Sequence, residues 1–187
     1  MADNKIKPKR GLLLIADPFL HDTYFKRSVI LLAEHNKHGS FGFMLNKPIH
    51  LKLNDALSNF PEYKDPLYLG GPVNKDQLFY IHTLGDVIEE STEIAKGLYW
   101  GGNLKTITKL IKGNKINSSQ LRFFAGYSGW DGNQLDEELK EKSWIICKST
   151  VEHIMSNDTD NLWKNLLTTT GNKYAVMANF PENPSLN

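Results

Sequence analysis

Leu12-Leu-Leu-Ile-Ala16, Ser28-Val-Ile-Leu-Leu-Ala33 and Phe41-Gly-Phe-Met-Leu45 are the three apolar runs that decide the fold. Each run is short and rich in residues that favour β-strands. The polar segment Glu34-His-Asn-Lys-His-Gly39 between the second and third runs has the composition of a hairpin turn. Because none of the runs alternates polar with apolar residues, we expect both faces of this sheet to be covered, with helices packed on it.

Further strands and several helices follow, in an order that favours an α+β fold. Strands are predicted over 67–69, 77–83, 94–99, 121–127 and 144–148, and helices over 53–60, 103–112, 131–142 and 158–169. In the third helix, Asp131 and Gln134 have the spacing of a capping box. Many strands with short connections and interspersed helices are typical of a mostly antiparallel or mixed sheet. No linker divides the chain, so residues 1–187 are predicted to form a single domain.

The composition argues against several classes of protein. The 187 residues carry 22 Lys and Arg against 21 Asp and Glu, a formal net charge of +1. A protein that binds nucleic acid by neutralising phosphates usually has a clearer basic excess, so nucleic acid is not the expected partner. Residues 1–10 are predicted to be a flexible basic arm that carries Lys5, Lys7, Lys9 and Arg10.

The N-terminal hydropathy and the single cysteine bear on the compartment. The apolar run over 12–16 is too short for a signal-peptide core or a membrane span, so we expect a cytoplasmic protein without membrane contact. Cys147 cannot form an internal disulfide because it is the one cysteine of the chain. It lies in an apolar strand, which predicts a buried and unreactive thiol.

No metal or cofactor site is predicted. His35 and His38 are three residues apart, but they lie in the predicted turn and no cysteine or carboxylate completes a ligand set. The sequence leaves open whether Asp22, His35 and His82 lie close together in the folded protein. The phosphate-binding glycine motifs are absent, and Gly70-Gly-Pro72 reads either as a tight turn or as a source of N–H groups for an anion.

Gly126-Tyr-Ser-Gly-Trp130 has most of the pattern of the serine elbow of hydrolases. The last position is Trp130, however, and a bulky side chain there obstructs the tight strand-to-helix turn that the elbow requires. A hydrolase using Ser128 with His35 or His82 is therefore an alternative rather than the first hypothesis.

Four blocks of this sequence occur together in one known order and spacing. The first block is Gly11-Leu-Leu-Leu-Ile-Ala-Asp-Pro-Phe-Leu-His-Asp22, which continues through Arg27 to Pro48. The second is Gly70-Gly-Pro-Val73, and the third is the strand that ends at His82. The fourth is Gly126-Tyr-Ser-Gly-Trp130 with Gln134-Leu-Asp-Glu-Glu-Leu139. Over residues 10–170 the pattern resembles the YqgE/AlgH family of bacterial proteins. Residues 174–187 differ from the usual C-terminal end of that family and are treated as a divergent tail.

This resemblance implies an α+β fold with a bifurcated sheet that includes a small barrel and is surrounded by helices. It brings no cofactor and no catalytic set, because most members of the family have no assigned activity. One branch carries the label of a transcriptional regulator, without a recognised DNA-binding module. The resemblance therefore transfers motif positions but no residue roles.

The polar residues of these blocks lie at predicted strand ends rather than on exposed helix faces. Side chains at strand ends often converge on a site, although buried Asn and Ser also satisfy loop backbone groups, so both roles stay open. The candidate ligand or partner site consists of Asp22, Arg27, Ser28, His35, Asn46, Gly70, Gly71, His82, Ser128 and Gln134. We expect Asp22, His35, Asn46, His82 and Ser128 to frame one concave site, with two separate clusters as the alternative.

Three functions follow from this reading. The first is a non-enzymatic binding or regulatory module for a small ligand or a protein partner. The second is a transcriptional regulator that acts on DNA directly or through a partner, supported by the basic arm and the lysine series at 105, 109, 112 and 115. The third is the hydrolase using Ser128.

Overall fold

The structure is a computed structural model that describes residues 6–180, with Asn172 described by its backbone alone. The predicted basic arm falls partly on residues 1–5 and the divergent tail partly on residues 181–187, and both of these segments lie outside the described residues. Within the described residues, no helix has the length and apolar character needed to cross a membrane.

Ten strands form the described part of the sheet, and nine of their pairings are resolved in register. They are β1 (Leu13–Ala16), β2 (Val29–Asn36), β3 (Gly39–Met44), β4 (Pro48–Ile49), β5 (Leu67–Leu69), β6 (Val73–His82), β7 (Ser91–Ala95), β8 (Leu98–Gly101), β9 (Leu121–Asp131) and β10 (Trp144–Cys147). The main path runs β10-β1-β2-β3-β9-β6-β8-β7 and curls into a half-barrel. All neighbours along this path are antiparallel.

The sheet divides at β9. Its C-terminal part pairs with β3, from Gly42 opposite Ser128 to Gly39 opposite Asp131. Its N-terminal part pairs with β6 on one side and, in parallel, with the short β5 on the other, and β4 pairs with β5. The predicted bifurcated, mixed sheet of an α+β fold is confirmed.

Successive side chains of the central strands enter different hydrophobic clusters. Leu13 and Ile15 point into a cluster inside the curl of the sheet, whereas Leu14 and Ala16 point into a cluster on its outer face. In β2, Leu31 likewise lies in the inner cluster, whereas its neighbours Ile30 and Leu32 lie in the outer one. Because both faces are buried, these strands read as continuous apolar runs, which confirms that part of the prediction.

Six helices among residues 6–180 cover the sheet. They are α1 (Leu53–Ala56), α2 (Leu104–Lys112), α3 (Gln134–Lys140), α4 (Val151–Ile154), α5 (Leu162–Thr169) and α6 (Asn172–Met177). Helix α2 buries Ile107 and Ile111, and the side chain of Asn103 accepts hydrogen bonds from two backbone N–H groups of its first turn. Arg122 on β9 donates to the carbonyls of Ile154 and Ser156, at 3.0 and 2.6 Å, and so holds the end of α4 against the sheet.

Three local predictions were wrong, each because a turn was misjudged. The predicted strand over 94–99 is a hairpin, in which Lys96-Gly97 turns between β7 and β8 and Gly97 has φ +79°. His35 lies within β2 rather than in a turn, because the hairpin closes with Lys37 and His38 alone. Asp131 ends β9 and does not cap α3, although the Gln134 side chain still accepts from the Asp131 N–H.

Glu138 on α3 ties the outer face of the sheet together. Its Oε2 accepts hydrogen bonds from the indole N–H groups of Trp130 on β9, at 2.9 Å, and Trp144 on β10, at 2.7 Å. The two indole rings pack edge to face, 5.9 Å apart, and Phe25 contacts both. One carboxylate thus joins α3 to two strands that are not neighbours in the sheet.

We expect Glu138→Ala to lower the free energy of unfolding by about 2–4 kcal/mol, because two buried indole donors lose their acceptor. Glu137→Ala, on the exposed side of the same helix, is the control and should change it by less than about 0.5 kcal/mol. Urea unfolding followed by tryptophan fluorescence measures both. Equal losses in the two variants would contradict the assigned role of Glu138.

Candidate ligand-binding cleft

An open cleft lies at one mouth of the half-barrel, where the β2–β3 hairpin, the C-terminal end of β9 and the start of β6 meet. Its volume is about 670 Å³, within the usual range of ligand sites. The lining residues are Glu34, Asn36, His38, Gly39, Ser40, Phe41, Val73, Asn74, Gln77, Phe79, Trp100, Tyr127, Gly129, Trp130, Asp131 and Gln134.

Two β-bulges shape this mouth. Between Val73 and Leu78, four residues of β6 stand opposite the single Gly126 of β9. Gly126 has φ +69°, and a Cβ there would lie 2.5 Å from the carbonyl oxygen of Val73, so only glycine is compatible with this crossing. The extra length carries Asn74 and Gln77 out over the cleft.

The second bulge lies in β2, between Leu32 and Glu34. Leu31 and Ala33 both point into the cluster inside the curl, so regular alternation would place His35 on that face next. The extra residue instead brings Glu34 opposite Phe41, and cross-strand partners share a face. The bulge therefore puts a carboxylate at the cleft and turns His35 away from it.

Four half-buried aromatic rings form the floor of the cleft. Phe41 contacts Trp100 and Tyr127, with ring centroids 5.0 and 5.9 Å apart and interplanar angles of 76° and 78°. Phe79 contacts Tyr127 at 5.4 Å and 70°. These edge-to-face contacts close the hydrophobic interior of the half-barrel and leave ring surface exposed to the cleft.

The rim of the cleft is polar and carries negative charge. Its charged residues are the exposed Glu34 and Asp131, and none of the lining residues is Lys or Arg. Asn36 Nδ2 donates to Glu34 Oε1 at 2.5 Å, and Gln134 Nε2 donates to Glu138 Oε1 at 2.9 Å, so neighbouring side chains orient the rim.

Four of the predicted site residues lie at the far end of the β2–β3 pair, and three of them form hydrogen bonds to backbone groups. Asn46 accepts from the Val29 N–H and donates to the Arg27 carbonyl, both at 2.9 Å. The Asp22 side chain accepts from the N–H groups of the second and third residues that follow it. Arg27 donates to the carbonyl of Phe180 at 2.6 Å and lies over the Trp163 ring, and Ser28 is fully buried.

Gly70, Gly71 and Ser128 lie where β5 meets β9. A Cβ on Gly70 would stand 2.1 Å from the Gly126 carbonyl oxygen, and one on Gly71 would stand 2.2 Å from the Tyr127 carbonyl carbon. Close backbone packing therefore requires glycine at both positions, and neither glycine lines the cleft. The buried Ser128 hydroxyl donates to the Gly70 carbonyl at 2.9 Å.

The hydrolase alternative is not supported by this placement. Ser128 lies inside β9, paired with Gly42, and not at a strand-to-helix turn. The Nδ1 of His35 is engaged with Ser40 at 2.7 Å, and His82 bonds to backbone groups. A buried hydroxyl that donates to a carbonyl and has no imidazole partner lacks the geometry of an activated nucleophile.

His82 is fully buried at the opposite end of the β6–β9 pair, where it stands opposite Leu121. Its Nδ1 accepts from the Leu84 N–H, so Nε2 carries the proton and donates to the Gly101 carbonyl at 3.0 Å. Burial lowers the pKa of His82 below its ordinary value, and the bond to Gly101 opposes this shift in part. The neutral ring thus links the backbone at Leu84 to the backbone at Gly101 and has a structural role.

The expectation of one concave site framed by Asp22, His35, Asn46, His82 and Ser128 was wrong. The rim of the cleft at Asp131 is on the order of 30 Å along β9 from Leu121, the strand partner of His82, and the buried His82 ring does not reach the floor formed by Phe79 and Trp100. Of the ten candidate residues, Gln134 alone lines the cleft. His35 does not line it but forms a hydrogen bond with Ser40, which does. Within the described residues, no group of three or more His, Cys, Asp or Glu side chains lies close enough to hold a metal ion.

The residues that line the cleft were missed because their sequence signals are indirect. The polar stretch Asn74-Lys-Asp-Gln77 between the apolar ends of one long strand is the sequence sign of the larger bulge. Phe41, Phe79, Trp100 and Tyr127 look like ordinary core aromatics until the curl of the sheet brings them together.

Comparison with known proteins places the chain in a bacterial family. The sequence profile described as AlgH-like matches residues 13–175, and the chain belongs to that family. The UPF0301 protein BF2109 of Bacteroides fragilis is 45% identical over 186 residues, which cover 98% of this chain and 94% of the relative. A UPF0301 protein of Chlorobaculum parvum is 41% identical over 179 residues, 96% of each chain.

Two solved structures share the fold. The crystal structure of protein DIP2367 from Corynebacterium diphtheriae has a TM-score of 0.78 and 22% identity, and covers 94% of both chains. The solution structure of AlgH from Pseudomonas aeruginosa has a TM-score of 0.71 and 23% identity, and covers 95% of this chain and 98% of that one. The predicted family and its fold are confirmed.

We expect the stability advantage of the parent protein over His82→Gln to shrink as the pH falls from 7 to 5. The pKa of His82 is lower in the folded than in the unfolded protein, so the unfolded chain binds a proton first as the pH falls. The stability that neutral His82 contributes is therefore complete above about pH 6.5 and is lost progressively below it. Urea unfolding at pH 7, 6 and 5 measures the difference. The exposed His153→Gln variant is the control. If the difference in free energy of unfolding between the parent and His82→Gln did not vary with pH, the structural role of neutral His82 would be contradicted.

We expect Cys147 to react with a disulfide reagent at pH 8 roughly a hundredfold more slowly in the folded protein than after denaturation. Burial raises the pKa of this thiol to about 11, so little thiolate forms at that pH. Absorbance of the released thiolate follows the reaction. Equal rates before and after denaturation would show that the thiol is accessible and ionised in the fold.

Proposed function

We propose that this protein is a non-enzymatic binding module whose ligand or partner occupies the cleft at the mouth of the half-barrel. The observation that carries the proposal is the composition of the cleft, in which exposed faces of four aromatic rings lie beneath a rim of polar side chains. An apolar floor with a few oriented polar groups is the usual construction of a ligand site.

The surroundings of the cleft also support binding rather than catalysis. Ser128, the one serine with a hydrolase-like sequence context, points away into the backbone of Gly70.

The regulator alternative has less support. The exposed lysines on and after α2 do not line the cleft, and a solvated helix face explains them equally well; they are Lys105, Lys109, Lys112 and Lys115. A negatively charged cleft repels phosphate groups. We therefore infer that any contact with DNA is made through a partner. We also propose that the protein is cytoplasmic and that residues 1–187 act as one domain.

The proposal is tested by titrating the protein with benzyl alcohol, a small neutral aromatic probe, and recording the indole N–H signals by NMR. Trp100 and Trp130 line the cleft, whereas Trp144 and Trp163 do not. We expect the Trp100 and Trp130 signals to shift, with a Kd of about 1 mM or weaker for so small a probe, while Trp163 stays unchanged. Trp163 is the cleaner reference, because Trp144 shares Glu138 with Trp130.

A pair of variants on the β6 bulge supplies the control. Gln77→Phe should fill the cleft and abolish the shifts, while Asp76→Phe, on the adjacent exposed position that does not line the cleft, should preserve them. Shifts that are equal for all four indoles, or that persist in Gln77→Phe, would contradict a site in the cleft. A sequence-selective complex with DNA in an anisotropy titration at physiological salt would instead favour the regulator.

A further inference from the structure

We infer that the ligand of the cleft is an organic cation, with an alkylammonium or guanidinium group held between the aromatic floor and the carboxylates of Glu34 and Asp131. This inference rests on the proposed function and names the chemical class that the same site accepts. Three independent features of the cleft lead to it.

The first feature is the mutual orientation of the aromatic rings. Phe41 is nearly perpendicular to both Trp100 and Tyr127, at 76° and 78°, so ring faces point in different directions around one space. The negative face of an aromatic ring attracts a cation, and several rings at steep angles offer it more than one face.

The second feature is the unbalanced charge of the rim. Within residues 6–180, neither Glu34 nor Asp131 forms an ion pair with a lysine or arginine. The nearest lysines in sequence, Lys37 and Lys75, do not line the cleft, and Lys75 lies over the Tyr24 ring at 5.4 Å. His38 is the one basic side chain among the lining residues. The cleft therefore attracts positive charge and repels phosphates and carboxylates.

The third feature is the way the two carboxylates are positioned. The β2 bulge turns Glu34 onto the aromatic side of the sheet, and Asn36 fixes its Oε1 at 2.5 Å. Asp131 stands opposite Gly39 at the end of β9, where its backbone is held by Gln134. Backbone geometry thus brings one carboxylate from each of the two strands that flank β3 to the same aromatic floor.

The experiment compares three probes that share a benzyl or phenyl ring and differ in charge: benzyltrimethylammonium, benzyl alcohol and benzoate. The same Trp100 and Trp130 indole signals are followed. We expect the cation to bind about tenfold more tightly than the neutral probe and benzoate to bind more weakly than either. Butylammonium and N-acetyl-lysine methylamide then distinguish a free amine from a protein side chain, and binding of either supports the inference.

Charge-neutral variants test the two carboxylates. Glu34→Gln with Asp131→Asn keeps the shape of the rim and should reduce the affinity for benzyltrimethylammonium by roughly three- to tenfold, a larger loss than that for benzyl alcohol. Asp136→Asn with Glu137→Gln on α3 carries the same change in net charge away from the cleft and should leave both affinities unchanged.

The outcomes separate the inference from the proposed function. If benzyl alcohol shifts the cleft signals and the cation binds no better, or if the Glu34/Asp131 variant binds the cation as well as the parent, the cation inference is overturned while the site stands. If no probe shifts those signals, the proposed function itself fails.

Discussion

The pairing of β9 with three other strands is the constraint on which the rest of the structure depends. Its first half is held between β6 and β5 and its second half by β3, so one strand belongs to both branches of the sheet. Phe123 and Phe124 point to opposite faces and anchor different hydrophobic clusters. Because no neighbour of β9 pairs along its whole length, the two branches diverge, and the mouth of the half-barrel opens where they separate.

The strands and the covered sheet faces could be predicted because they depend on local composition. Leu14 and Leu31 are apolar in uninterrupted runs, and burial on both sides is the physical reason for such runs. Helix α2 was predicted almost to the residue, because Asn103 caps it and its apolar spacing is regular. The family pattern then supplied the bifurcated sheet, which no local signal specifies.

The cleft could not be predicted because it arises from departures from regularity. A one-residue shift of register moves every side chain to the other face of a strand, and the sequence does not mark Ala33 as an extra residue. Polar residues at strand ends misled the prediction, because Asn46 and Ser128 satisfy backbone groups in tightly packed crossings. Strand ends also lie at two edges of a curled sheet, and only the topology shows that His82 and Gln134 belong to different places.

The bulge at Ala33 makes the chemistry of the cleft independent of the exact length of β2. In a variant without Ala33, Glu34 would follow Leu32 directly, and regular alternation would still place its carboxylate opposite Phe41. A single codon deletion would therefore straighten the strand without changing the charge of the cleft. Alignments that place a gap between Leu32 and Glu34 would group chains whose clefts carry the same anionic side chain.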